Sequence, residues 1–482
     1  MLLCAPWRAG TWSANGIHVC EAMAGGAFAF WLIGLCIERR MPRVRPRLLA
    51  GVAALLAQGW WMALHAGVQP IVSSEEMLRV SSILAVIVVV CDLARAASVR
   101  TVLWVATAFA GCVIALLGIA QRFSFFPGTL RAMRGDEGTP FATFNYHGNA
   151  GSFLNLAFPA LFGLAYLAWR ERKPPWLRAM LAPALIAVLA SVVINVSRGA
   201  MAISAAMLIA IGAWSARQSI PGGGAFPWRR LLAKGALLVA LVALVSRFAN
   251  GGTSLHRWEQ MVKQPTGEVA RLMVWRITWP MAANAGPFGN GPGTFKMLLP
   301  ESPRLGPEFY EKWILQPHEP GGRISMWSQA HQDYLQTVVE WGWIGAAIWG
   351  FVLFGGLARL RRSGRNHSGA NAVPERMMRF CTGIAIVAVC VNAAFDFPFQ
   401  ILPLQLQLAM WLGLAWSAPE WEHPSPAIPD PETGVAGRPD APPIETAPAE
   451  MGGGDGEGIP NPLSPPEPSN SEDRADRIPP KG

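Results

Sequence analysis

The chain has 482 residues, 52% of them apolar, with 40 basic against 31 acidic side chains and a formal charge of +9. A soluble chain of this length would divide into two or three domains, but here the apolar residues gather in blocks of roughly 17–25, enough to cross about 30 Å of hydrocarbon. That excludes a water-soluble globular protein, and the lack of period-two alternation excludes a membrane β-barrel.

Eleven apolar blocks follow one another: 17–37, 48–66, 79–97, 101–120, 149–169, 179–196, 199–216, 231–248, 334–358, 380–395 and 399–417. They predict an all-α polytopic membrane protein whose bundle occupies 1–417. The first sixteen residues lack an apolar core of signal-peptide length, so the first span is expected to insert uncleaved. Six of the seven cysteines (Cys20, Cys36, Cys91, Cys112, Cys381 and Cys390) lie in the spans and no CxxC pair is present, so they read as small hydrophobes rather than disulfides or zinc ligands.

Basic residues set the orientation. Five arginines fall in 38–47, four basic residues in 170–178 and six in 359–379, and 95–100 and 217–234 are also basic. All lie on one side of an eleven-span bundle, which makes that side cytoplasmic. The N-terminus, 67–78, 121–148, the long loop 249–333 and the 395–399 turn are then external. From Ala418 onward Pro and Gly dominate, and thirteen acids face four bases. Such a segment buries too little apolar surface to offset ordering entropy, so 418–482 reads as a disordered cytoplasmic tail. Without its charge of −9 the rest of the chain carries about +18, mostly the positive-inside signal rather than a nucleic-acid footprint.

The polar residues that call for a reason lie on the outer side. Asn145, His147 and Asn149 precede the fifth span and read as caps or site residues. Arg198 stands at the tip of a hairpin, as an interface anchor or an anion clamp. In the long loop, about 268–284 predicts an amphipathic helix with Leu272, Trp275, Ile277 and Trp279 on its apolar side and Arg271 and Arg276 as its bases. The run "GPFGNGPGTF" after it is a turn, or a backbone able to approach a ligand closely.

The stretch "SQAHQDYLQTVVEWGWIG", 328–345, predicts a helix with Ser328 as N-cap and His331 in its first turn. Asp333, Gln336, Thr337 and Glu340 form one polar stripe that must face protein or a wet cavity. A neutral histidine there is suited to general-base work, and a helix N-terminus accepts phosphate. His331 and Asp333 as half of a metal site lack a clear third ligand, and Asp333 alone is a fair partner for the helix dipole. Asp396 is either a turn former or part of the same site. No phosphate-binding glycine loop, nucleophile elbow or HExxH is present, which points to extracytoplasmic chemistry on a pre-activated donor.

Five segments in order, "FNYHGNAGSFLNLAFP", "SRGAM", "RLMVWRITWPMAANAGPFGNGPGTF", "AHQDYLQTVVEWGWIG" and "DFPFQILPLQL", resemble the O-antigen ligase and polymerase superfamily of bacterial membrane glycosyltransferases, over about 100–417. The resemblance implies transfer of a glycan from an undecaprenyl-pyrophosphate carrier, at the periplasmic face of the inner membrane, to a lipid A core, glycan or protein hydroxyl. It implies no metal and no cofactor. It casts Arg198 and Arg271 as pyrophosphate ligands and His331 as the base that activates the acceptor. Asp333 and Glu340 match the pattern without an assigned role, and Arg276, Asn149 and Asp396 are further candidates nearby. Two departures stand out. Members commonly have twelve spans with both ends cytoplasmic, against eleven here, and Gln332 stands where the motif usually has Asn. A ligase is the leading expectation and a polymerase of the same superfamily the first alternative. A flippase of lipid-linked glycans would need charges near mid-membrane, and a scaffold acting through the tail would depend on 418–482.

Overall fold

Prolines set many helix starts. Pro46, Pro70 and Pro175 each occupy the first helical position, where the missing N–H costs nothing and the fixed φ suits a helix. The computed structural model describes residues 5–6, 14–123, 141–218, 266–302, 328–363 and 373–421. In order the helices are α1 (Ala14–Ile37), α2 (Pro46–Trp61, continued by a π turn Met62–Ala66), α3 (Pro70–Leu93), α4 (Ala97–Arg122), α5 (His147–Arg170), α6 (Pro175–Ile194) and α7 (Arg198–Gln218). After the loop come α8 (Thr266–Ala283), the short α9 (Phe295–Leu298), α10 (Asp333–Ser363), α11 (Val373–Ala393) and α12 (Leu402–Ser417). Among the described residues the only β pairing is an isolated bridge between Phe141 and Phe144.

Eight of these helices are long and apolar enough to cross a membrane: α1, α2 with its π turn, α4, α5, α6, α7, α10 and α11. Two expected spans form helices outside that set. α3 carries Glu75, Glu76, Arg79 and Asp92. α12 has 16 residues, about 24 Å at 1.5 Å per residue. The expected span 231–248 and the tail 418–482 lie outside the described residues, except for 418–421.

Every residue of α12 is buried. Apart from Gln405 and Gln407 its sequence "LPLQLQLAMWLGLAWS" is apolar on every side, which is the pattern of an enclosed helix, and α3, α10, α11 and α5 pack around it. Small residues permit the approach. A Cβ on Gly413 would stand 2.6 Å from Val90 Cβ, and one on Gly111 would collide with Ala157 between α4 and α5.

The basic loops meet at one end of the bundle. Arg40 pairs with Asp92, which also accepts from Trp31 Nε1 at 2.8 Å and Arg43 N at 2.6 Å. Glu420 is held by both Arg45 and Arg359, and the guanidiniums of Arg100 and Arg379 lie over the Trp421 ring. Three of the basic segments that mark the expected cytoplasmic side thus converge on residues at the end of α12.

α10 is broken. Gly342 has φ 67° and ψ −174° inside it, and the run 286–295 plugs the gap. Asn290 N and Gly291 N donate to the carbonyls of Val339 and Glu340 at 3.1 and 2.9 Å, and Trp343 N and Ile344 N donate to those of Gly286 and Pro287 at 3.2 and 3.0 Å. Backbone approaches backbone so closely that a Cβ on Gly342 would strike Gly289 N and Pro287 O. Gly286, Gly289 and Gly291 therefore serve the helix break, and Glu340-Trp341-Gly342 is the complementary half of the joint. Gly342→Ala should lower the unfolding temperature of the detergent-purified protein steeply, since strain and collision add. Gly286→Ala, at φ 69° with nothing within 4 Å of its built Cβ, should cost only the left-handed penalty of about 1–2 kcal/mol. Thermal unfolding of the two variants side by side checks this.

Candidate active site

The end of the bundle opposite the arginine-rich loops gathers the start of α5, the α6–α7 hairpin tip, α8, the start of α10 and the turn before α12. α10 begins at Asp333, five residues after the expected cap Ser328. Gln332 caps it instead: its Oε1 accepts from Leu335 N at 2.5 Å and its carbonyl from Gln336 N at 3.2 Å. The longer side chain of Gln332 thus reaches the N–H that an Asn would cap. His331 stands before the helix, not in its first turn, with φ 52°, and Trp275 Nε1 donates to its carbonyl at 3.1 Å. That sparsely populated backbone region persists where the surroundings over-determine it.

Asp333 is fully buried, and its carboxylate accepts from Phe399 N at 2.8 Å and Gln400 Nε2 at 3.1 Å. This tie holds the turn 396–400 against the start of α10. Asp396 shapes this turn and also lies beside His331. Its Oδ1 accepts from Phe397 N at 3.1 Å and lies 3.3 Å from His331 Nδ1. Phe397 meets the imidazole edge-on at 4.6 Å.

In the polar stripe of α10, Asp333, Gln336 and Glu340 all meet protein groups. Gln336 accepts from Ala330 N and donates to Gln329 Oε1 and Glu340 Oε1. Glu340 accepts from Phe295 N at 3.3 Å, holding the plug loop. A stripe can face protein throughout when the loops carry matching donors, and here 290–295 and 399–400 do.

Arg271 on α8 donates from Nη2 to the Tyr146 hydroxyl at 2.9 Å. Tyr146, the N-cap of α5, stacks on Phe397 with centroids 5.8 Å apart and planes at 13°. Burial pushes its phenol above the ordinary value; the Asp396 carboxylate adds to this, while Arg271 and Arg198 oppose it. One hydroxyl thus feels both arginines and the acid beside His331. Arg198 begins α7, behind a tip at which Val196 has φ 58°, an outlier for a β-branched residue. Asn195 Nδ2 donates to His147 O at 2.7 Å and Asn155 Nδ2 to Ala200 O at 3.0 Å, pinning that tip to α5.

His331, Asp396 and Arg271 are therefore gathered round Tyr146 and Phe397, and Arg198 is near enough to act electrostatically on the Tyr146 phenol. Three other candidates are not. Arg276 is exposed on α8, since five residues turn a helix about 140° from Arg271. Asn149 is buried, and neither it nor Asn145 caps α5; among the described residues no contact joins the Asn149 side chain to the cluster. Glu340 lies under the plug loop. On α8 the buried stripe is Val274, Ile277, Thr278 and Ala282, whereas Leu272 and Trp279 of the expected apolar side are not covered by protein. Tyr146 and Phe397 escaped the sequence reading. The available signal was that Tyr146, one of only four tyrosines, sits beside His147 in a polar run, and a buried tyrosine usually finds a partner for its hydroxyl. Among the described residues no three His, Cys, Asp or Glu side chains group as metal ligands.

A family model described as O-antigen ligase matches residues 183–350, from α6 through the first half of α10. The match supports membership of the O-antigen ligase superfamily, whose members act as membrane glycosyltransferase-like enzymes. It suggests ligase- or polymerase-type work in glycan assembly. Among curated proteins, none matches the chain.

The roles of Asp333 and His331 separate by measurement. Asp333→Ala strands a buried N–H and should destabilise the protein by about 1–3 kcal/mol, read as a lower unfolding temperature. His331→Ala, at a partly exposed site, should leave the unfolding temperature near the wild-type value.

Proposed function

We propose that the protein transfers a glycan from an undecaprenyl-diphosphate carrier to an acceptor hydroxyl at the periplasmic face of the inner membrane. The observation that carries this reading is the chain of contacts His331–Asp396 and His331–Phe397–Tyr146–Arg271, which joins four sequence-distant segments around one point. Asp396 beside Nδ1 keeps a proton on that nitrogen and leaves Nε2 as the base. The acceptor oxygen attacks the anomeric carbon and its proton passes to Nε2. The bond from that carbon to the diphosphate oxygen breaks, its electron pair leaving with undecaprenyl diphosphate. Arg198 and Arg271 stabilise the charge that grows on the leaving group, so two guanidiniums do what a divalent cation does elsewhere.

The arginine-rich end is then cytoplasmic, with the tail on that side and the site outside. A lipid A core hydroxyl makes the protein a ligase; a growing glycan makes it a polymerase. The same residues serve either.

The test is surface-glycan profiling of a deletion strain carrying variants expressed at wild-type level. His331→Ala should lower transfer by about 10²–10⁴-fold, with lipid-linked donor accumulating. Arg198→Ala and Arg271→Ala should also lose transfer, and Asp396→Asn should retain more than His331→Ala. Wild-type glycan from the His331 and arginine variants would end the catalytic reading. Loss of polymer length rather than of attachment would identify a polymerase.

A further inference from the structure

We propose that Tyr146 is a third ligand of the diphosphate, its phenolic O–H donating to a phosphate oxygen between Arg198 and Arg271. This rests on the reading of the site as a diphosphate-carrier transferase. A phenol accepts and also donates one hydrogen bond. The accepting side of Tyr146 is taken by Arg271 Nη2 at 2.9 Å. Among the described residues no group accepts the phenolic proton, although the side chain is largely enclosed. A buried donor normally has an acceptor, and an oxyanion held by the neighbouring arginines supplies one.

The ring has little freedom to turn away. Phe397 stacks on one side and the His147 ring lies with its centroid 4.9 Å from that of Tyr146. Gly148 makes room: a Cβ there would stand 2.8 Å from Tyr146 Cζ and 2.9 Å from Asp396 Oδ2. A donor fixed before the ligand arrives loses little entropy on binding. Arg271 donates to this hydroxyl directly, so an anion held by Arg271 lies near its proton. Burial holds the phenol in its protonated, donating form.

The competing role is a strut that only steers Arg271. Tyr146→Phe keeps the stacked ring and removes the hydroxyl, and binding of undecaprenyl diphosphate to the purified full-length protein reads the difference, with undecaprenyl monophosphate as reference. We expect Tyr146→Phe to weaken diphosphate binding roughly tenfold, as for a lost hydrogen bond to a charged group, with an unchanged unfolding temperature. In the Arg271→Ala background the same substitution should weaken binding again. A double variant no weaker than Arg271→Ala alone reduces Tyr146 to a strut and overturns the proposal, as does wild-type affinity in Tyr146→Phe. If wild-type protein does not prefer the diphosphate to the monophosphate, the carrier reading itself falls. If Arg198→Ala and Arg271→Ala weaken binding while Tyr146→Phe does not, only the role of Tyr146 falls.

Discussion

The buried carboxylate of Asp333 is the interaction on which the site depends. It stands at the first turn of α10 and takes hydrogen bonds from Phe399 N and Gln400. A carboxylate removed from water is costly unless its oxygens are bonded, so the turn 396–400 has one seat that satisfies it. That seat brings Asp396 beside His331 and Phe397 beneath Tyr146. Asp333 thus fixes the placement of side chains it does not itself touch.

The second constraint is the broken helix. α10 has to leave the start of its own axis, and the joint at Gly342 is sealed by the backbone of 286–295 with four cross-links in two pairs. The same loop follows α8, which carries Arg271. Sealing the break therefore anchors the helix that delivers the arginine, and Glu340 locks the far end of the loop through Phe295 N. Two of the motif carboxylates, Asp333 and Glu340, work as backbone acceptors, leaving Asp396 as the acid in contact with the histidine.

The two ends of the bundle use charge differently. At the arginine-rich end carboxylates match guanidiniums: Asp92 with Arg40, and Glu420 with Arg45 and Arg359. At the other end Arg271 donates to the phenol of Tyr146, and Asp396 lies beside His331.

Much of this was legible in the residues. Apolar block lengths fix the polytopic helical class because hydrocarbon thickness admits few alternatives. The order of motifs resembles that of the O-antigen ligase superfamily, and that resemblance makes His331, Arg198 and Arg271 the candidates. What the sequence left open follows from contacts between distant segments. Periodicity assigns Asp333 and Glu340 to a polar stripe but cannot say whether water or backbone meets it, since the donors come from 290–295 and 399–400. Glycine spacing marks close approach without naming the partner, which is Gly342 about fifty residues away. The start of α10 is set by the reach of the Gln332 side chain, which propensity alone does not resolve from Ser328. That Arg271 rather than Arg276 meets Tyr146, and that Phe397 bridges Tyr146 and His331, depends on how α5, α8 and the turn before α12 pack, a three-dimensional fact that local sequence does not encode.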